Sequence, residues 1–483
     1  MEKRKMIING ADVDAFDGSV LEIINPANGE IVSTIPDADV QDVNSAVQAA
    51  LSGFSIWRRT PAKTRSNVLH KAADLMRKRI DEIAITITSE MGKPYKRAKS
   101  EVSGSAELYD YFAEEGIRLS GDIPQINHSN EQVLVFKEPV GVVGAITPSN
   151  YPIALLTWKL GAALACGCSV IAKPDEHSPS AALFLGKVFL EAGLPNGVFN
   201  IITGTGRKAG SILVAHPEVR KIAFTGSTEI GQEVAASASR TCKRVSLELG
   251  GQCPAIVMGD VIIDDMLSEF VEQTYNNSGQ YCYRINRAYV HADVYNEFIE
   301  KLTKAVSKLK VGQGQDPETD LGPLVHQGIM DGVLCHIEDA IKKGARIRFG
   351  GSRLVKGDYQ YGFFIEPTII EDANHTMLLM QEETFGPVLG IQKIYSLREG
   401  IDLANDSRYG LAAYVFTRDG SLGLQASREI ESGSVWVNHI HKAYEVAPFG
   451  GMKQSGYGRE KSKYGLDEYL ELKAVYLSLP NIE

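Results

Sequence analysis

The chain has 483 residues, 44% of them hydrophobic and 23% charged, a length that calls for two large lobes and the composition of an ordinary globular protein. Fifty basic against sixty acidic residues leave a net charge of −10 with no Lys/Arg-rich run, which argues against nucleic acid or an anionic membrane surface as a partner. Six cysteines (Cys166, Cys168, Cys242, Cys253, Cys282 and Cys335) form no Cys-x-x-Cys pair. The expectation is no metal site, free thiols in a reducing cytoplasm, and small buried hydrophobes for all but Cys282.

In chain order, the start Met1 to Asn9 is charged, but its apolar stretch stops after three residues, so no secretory signal is predicted. Leu21 to Val32 reads as two strands joined at an Asn-Pro/Asn-Gly turn. Apolar residues at helical spacing between Arg65 and Thr88 predict one helix ending before Gly92-Lys93-Pro94. Gln132 to Lys137 reads as a strand detached from either lobe. From Gly141 short apolar strands alternate with helical stretches: Val142 to Ile146, Ser169 to Ala172, Gly197 to Ile202, Lys221 to Thr225 and Lys243 to Leu247. That alternation predicts a parallel sheet wound on both faces, the usual support for a dinucleotide. The apolar run Ile153 to Ala172 is broken by Lys159, Gly161 and Gly167, so a buried helix and strand explain it better than a membrane span. The pattern begins again at Pro254 to Met258 and continues to about Gly450 as a second lobe, and the tail Ala474 to Leu479 is another detached strand.

The chemistry concentrates in Asn276-Asn277-Ser278-Gly279-Gln280-Tyr281-Cys282 and in Glu248-Leu249-Gly250-Gly251. A thiol after a Gly-Gln pair can be presented, with its own N–H, by a flexible backbone, and a carboxylate before two glycines can reach a cleft. A thiol nucleophile and a carboxylate base are the minimum for a covalent reaction that ends in hydrolysis. Free cysteine is ordinarily a buried hydrophobe and glutamate ordinarily a surface residue; the Gly-Gln-x-Cys setting and the paired glycines tip both the other way. In Phe224-Thr225-Gly226-Ser227-Thr228-Glu229-Ile230-Gly231, Gly226 and Gly231 permit close backbone approach, while Ser227 and a helix N-terminus supply donors for a pyrophosphate. Taken alone such a glycine pair is more often a plain turn.

These motifs resemble the signature of the aldehyde dehydrogenase superfamily over almost the whole chain. The resemblance implies an α/β fold of two doubly wound parallel-sheet lobes with a β-strand oligomerisation arm. Residues 1–120 and 140–250 would form the dinucleotide-binding domain, 251–450 the catalytic domain, and 121–139 with 460–483 the arm. It implies NAD as cofactor, with Lys173 and Glu176 at the adenosine ribose, Glu383 and Phe385 on the nicotinamide side, and Leu249 among the cofactor contacts. A carboxylate at Glu176 would accept from a free 2′-OH and repel a 2′-phosphate. Asn150 and the backbone N–H of Cys282 would form the oxyanion hole, with Lys159 in support; otherwise an asparagine between prolines is a turn residue.

The implied reaction oxidises an aldehyde to its acid through a thiohemiacetal and a thioester on Cys282, hydrolysed with Glu248 as base. Three departures from the commonest pattern, Ser149, Gln252 and Tyr281, bear on substrate range and cofactor fit. Tyr151, Trp158, Asn276, Tyr281 and Phe449 are expected to line the substrate pocket. Members acting on succinic semialdehyde generally carry arginines at the positions of Trp158 and Asn276, and this chain has neither. Tyr151, Trp158 and Phe449 resemble the aromatic positions of betaine and amino-aldehyde dehydrogenases, whose faces attract ammonium, yet the broader expectation is a medium-sized uncharged or aromatic aldehyde. The rival readings are a coenzyme A-acylating dehydrogenase, which characteristically lacks the hydrolytic glutamate, and a structural protein on the same scaffold. The arm strands are expected to be covered by a symmetric copy, giving a homodimer or homotetramer.

Overall fold

The computed structural model describes residues 2–128, 130–442 and 444–478; Met1 and the arm's residues 479–483, including Leu479 of the expected tail strand, lie outside the described residues. Two large sheets carry the molecule. The first has eight strands, and its parallel centre runs Arg244–Glu248, Lys221–Thr225, Val142–Ile146, Ser169–Lys173, Phe199–Ile201. The order reverses between Val142–Ile146 and Lys221–Thr225, and in such sheets ligands bind in the crevice outside the carboxyl ends of the strands at that switch.

Strand periodicity explains why the sheet is covered on both sides. Val142, Ile146, Ile171, Ile222 and Phe224 pack with Val43 and Val47 of the helix Val40–Trp57 and with Val234 of the helix Thr228–Ser239. Their neighbours Val143, Ala145, Val170, Ala172 and Ala223 pack instead with Leu160 and Leu164 of the helix Ala154–Cys166 and Phe189 of Ser180–Ala192. Alternate residues thus feed opposite cores, as a period of two requires.

The second sheet has seven strands in the order Arg346–Phe349, Thr368–Glu371, Val388–Ile394, Ile285–His291, Cys253–Val257, Ala412–Phe416, Ser434–Val437. It is parallel except at Arg346–Phe349. The same alternation recurs: Ile256, Tyr289 and Val415 join Met330 and Ile401 in one core, while Ala255, Val290 and Tyr414 join Phe270 and Phe298 in the other. This second core is continuous with that of the first sheet and includes Trp158 and Phe449, so the lobes share one apolar seam.

The predicted helix from Arg65 to Thr88 is in fact two, Ala62–Lys78 and Ile80–Met91, separated at Arg79 (φ −112°, ψ 20°). Apolar spacing carries across this break because both helices face the same core, and no proline or glycine marks it. The run 153–172 is the helix Ala154–Cys166 followed by Ser169–Lys173, and no helix among the described residues is long and apolar enough to cross a membrane. The two detached strands, Glu131–Pro139 and Leu470–Ser478, pair with each other antiparallel, from Leu470↔Pro139 to Ser478↔Glu131. Cys166, Cys168 and Cys253 are buried as expected, but Cys242, in the turn after the helix Thr228–Ser239, and Cys335, on the helix Gln327–Lys342, are exposed.

Candidate active site

The carboxyl edge of the first sheet faces the amino edge of the second, and the motif residues meet between them. Glu248 ends Arg244–Glu248, in register with Thr225 on one side and Gly456 on the other. Its carboxylate lies so close to Gly450 that a Cβ there would stand 2.9 Å from Oε1. Both oxygens are buried without a hydrogen-bond partner among the described residues. Burial and the neighbouring Glu460 push its pKa well above the ordinary 4.5, only partly opposed by Lys159 and Arg459.

Cys282 is presented by a loop built from three consecutive left-handed residues, Asn277 (φ 51°), Ser278 (φ 53°) and Gly279 (φ 71°). Two of them are not glycine, a strained backbone that persists only where its surroundings hold it. The holder is Gln280: its Nε2 donates to the carbonyls of Asn277 (3.2 Å) and Pro323 (3.3 Å), and its Oε1 accepts from the N–H of Val325 (2.9 Å). Ser278 Oγ donates to the Gly322 carbonyl at 2.7 Å. The Gly-Gln pair, read as flexible, is therefore a rigid mount. Gly279 is required twice, since a Cβ would lie 2.2 Å from the Gly386 carbonyl oxygen. Burial and the carboxylates of Glu383 and Glu248 raise the Cys282 thiol well above its ordinary value, so ionisation needs help from something that enters the site.

Asn150 reaches this loop. Its Nδ2 donates to the Gln280 carbonyl at 2.9 Å and its Oδ1 accepts from the N–H of Tyr151 at 3.0 Å, which leaves one amide N–H for an oxyanion. Lys159 is not at this group: its Nζ bonds Thr225 Oγ1 (2.6 Å) and Glu460 Oε1 (2.5 Å). It acts on the Glu248 side because its helix runs away from Asn150 into the core.

The residues expected to hold a cofactor lie around the switch point. Ser227 caps the helix Thr228–Ser239, its Oγ accepting from the N–H of Ile230 at 3.4 Å, and the Gly226 N–H donates to the Glu248 carbonyl at 3.1 Å. Gly231 serves packing as much as approach, because a Cβ there would lie 2.3 Å from Leu249 Cδ2. Lys173 Nζ and Glu176 Oε2 form a 2.9 Å ion pair beyond the next strand. Glu383 Oε1 accepts from the Gly251 N–H at 3.1 Å, and burial raises its carboxyl to about 7; Phe385 is half-buried two residues on. Of the departures, Ser149 offers its carbonyl to Ser178 Oγ at 3.1 Å. Gln252 turns away from the cofactor crevice, donating to the Leu379 carbonyl at 2.7 Å.

The aromatic residues expected to line a substrate pocket pack against one another. Trp158 and Phe449 meet edge to face at 5.2 Å, and Tyr151 and Tyr281 at 6.4 Å. The Tyr281 hydroxyl is spent on the Gln273 carbonyl, so this residue buttresses the wall. Asn276 presents a buried Oδ1 with no partner among the described residues. Sequence reasoning missed Tyr283, whose ring links Tyr281 (4.9 Å) to Phe449 (5.7 Å), and His441, 4.2 Å from Tyr283. It also missed Lys461, whose Nζ is 5.5 Å from the Trp158 ring; residues from 460 had been assigned to the arm, whose strand starts only at Leu470. Tyr283 follows the nucleophile directly and could have been weighed; for the other two no local signal exists.

The aldehyde dehydrogenase family model matches residues 13–475. The chain belongs to that family. It is 43% identical over 476 residues to the mitochondrial succinate-semialdehyde dehydrogenase of Oryza sativa subsp. japonica, covering 99% of this chain and 89% of that one. It is 40% identical to the succinate-semialdehyde dehydrogenase [NADP(+)] of Escherichia coli, covering 99% and 98%. Among solved structures, betaine aldehyde dehydrogenase of Staphylococcus aureus in complex with NAD+ aligns with a TM-score of 0.97 at 32% identity, covering 99% of this chain and 96% of that one. The two-lobed aldehyde dehydrogenase fold and the assignment to oxidoreductases acting on aldehydes follow.

Proposed function

We propose that this aldehyde dehydrogenase oxidises an aldehyde to the carboxylic acid with NAD, through a thiohemiacetal and a thioester on Cys282. The observation that carries this reading is the unpartnered Glu248 carboxylate in the same crevice as the mounted thiol. A raised carboxyl that nothing in the protein occupies is suited to take a proton from water at neutral pH. Asn150 and the Cys282 N–H would hold the alkoxide, and the expulsion of hydride from the tetrahedral carbon would leave the thioester that water, activated by Glu248, then cleaves.

The crevice fits a dinucleotide on its own geometry. A capped helix N-terminus opens at the switch point of a parallel sheet, and Lys173 with Glu176 lies where the neighbouring strand ends. Bound there, NAD would supply the hydride acceptor. Glu176 favours a free 2′-hydroxyl, although one relative named above is specified for NADP(+). The exposed apolar residues Leu472 (70%) and Tyr476 (78%) on the paired arm strands support burial against a second copy, in a dimer or tetramer.

The test is NADH release over a panel of aldehydes, with and without coenzyme A. Turnover that needs no coenzyme A and yields the free acid is the expected result. Strict dependence on coenzyme A would transfer the chain to the acylating class, and equal efficiency with NADP would overturn the cofactor assignment.

A further inference from the structure

Lys461 is in the wrong place for a lysine. Its backbone has φ 62° and ψ 175°, a region open essentially to glycine, where any other side chain costs on the order of 1–3 kcal/mol. The side chain is nonetheless only 3% exposed. Its ammonium stands against Trp158 at 5.5 Å from the ring centroid, and no described carboxylate forms an ion pair with it; Glu445 acts on it only from a distance. Burial brings the amine down to about 8. A strained backbone that delivers a buried lysine to an aromatic face is a feature that stability alone would remove.

On the same wall, His441 packs 5.1 Å from Trp436, 4.2 Å from Tyr283 and 5.8 Å from Phe449. Both its ring nitrogens are buried without a partner among the described residues. Burial and the positive Lys461 hold it neutral, down to about 3. Phe449 touches both Trp158 and His441, so the lysine and the imidazole flank one aromatic floor whose other end is Tyr283, next to the nucleophile. The two imidazole nitrogens, buried and unpartnered among the described residues, cost on the order of 1–3 kcal/mol each, and a bound molecule that hydrogen-bonds the ring removes part of that cost.

The chemistry of that molecule is constrained. An ammonium-bearing aldehyde would need the Trp158 face, and Lys461 already holds it with a like charge. An alkyl or aryl tail would offer no acceptor to Lys461 and no hydrogen bond to His441. A compact oxyanion accepts from both and can turn the imidazole into a second cationic donor.

We propose that Lys461 and His441 receive the distal carboxylate or sulfonate of an aldehyde whose other end meets Cys282. This rests on the Cys282 reading and substitutes two residues from the C-terminal lobe for the arginines absent at Trp158 and Asn276.

The experiment compares kcat/KM for succinic semialdehyde, an ω-sulfonate aldehyde of matched length, butanal and 4-aminobutanal in the parent, Lys461→Met, Lys461→Gly and His441→Phe. The parent is expected to prefer at least one anionic aldehyde over butanal by about 10-fold or more, the worth of a charge-assisted hydrogen bond. Lys461→Met should cut that ratio by about 10-fold or more, mainly through KM. Lys461→Gly should lose the same preference while relieving the backbone, which separates recognition from misfolding. The two anionic arms decide between carboxylate and sulfonate. A ratio within about twofold of the parent in both Lys461 variants, or a parent that prefers butanal or 4-aminobutanal, overturns the proposal. Calorimetric titration of Cys282→Ala with succinate and with a sulfonate of matched length distinguishes the two readings. Binding of either that disappears on adding Lys461→Met supports the anion site even if no aldehyde releases NADH, whereas binding indifferent to Lys461, or binding of neither, overturns it.

Discussion

Lys93 and Glu248 are both almost fully buried charged groups within the same molecule, yet their surroundings differ in kind. Lys93 pairs with buried Glu101, whose other oxygen accepts from the N–H groups of Ile153 (3.0 Å) and Ala154 (3.1 Å) at the start of the helix that carries Trp158. The Lys93 ammonium also lies 3.5 Å from the centre of the Tyr151 ring. Every charged atom of that cluster is answered from within the protein. Around Cys282 the opposite holds: the Glu248 carboxylate, the His441 ring nitrogens and Asn276 Oδ1 are buried and unanswered among the described residues. Burial is common to both charges; what separates them is the missing partner.

The largest effect tests the unanswered side. Cys282→Ala should lower steady-state aldehyde turnover by on the order of 10⁴-fold while NAD binding, followed by fluorescence titration, stays near the parent value. Turnover within about tenfold of the parent would place the nucleophile elsewhere.

On the answered side, Lys93→Met should cost about 3–5 kcal/mol in denaturant unfolding, because it strands Glu101 without its cation. A loss below about 1 kcal/mol would show that the pair is no more than a surface-grade bridge and would erase the contrast.

What could be read in advance follows the same division. Strand and helix periodicity located the parallel strands of the first lobe and one strand of the second, Cys253–Val257, while the other strands of the second lobe were read only as an alternating stretch; the structure brings the cysteine, the glutamate and the asparagine together. The break at Arg79 was illegible because backbone geometry changed while the apolar stripe continued into the same core. Gln252 and Gly231 were misjudged in emphasis because one strand direction and one packing contact, with Leu379 and Leu249, decide where they face. His441 and Lys461 could not be found at all: their significance lies in what is missing around them, and a sequence does not record missing partners.

Smaller effects sharpen the comparison. Glu176→Ser should narrow the NAD over NADP preference by about tenfold, since it removes the carboxylate that repels a 2′-phosphate; an unchanged ratio of kcat/KM values would exclude Glu176 from the ribose site. Glu248→Gln should change stability in the direction opposite to Lys93→Met. Because the folded-state pKa of Glu248 is raised, the native protein binds the extra proton just above pH 4.5, and its stability falls as pH rises from there through the raised value. The glutamine variant escapes this, so its advantage should be absent below pH 4.5 and grow toward neutral pH, to about 0.5–2 kcal/mol. A pH-independent difference in thermal midpoints between the two would contradict the assignment of burial as the cause.

The central claim, that Glu248 drives hydrolysis of a thioester on Cys282, is tested most directly by rapid mixing of Glu248→Gln with NAD and an aldehyde substrate. The expected record is a burst of about one NADH per active site followed by a slow steady phase, with intact-mass analysis finding the acyl group on Cys282. A steady rate equal to the parent's with no burst, or an acyl group on any other residue, would contradict it.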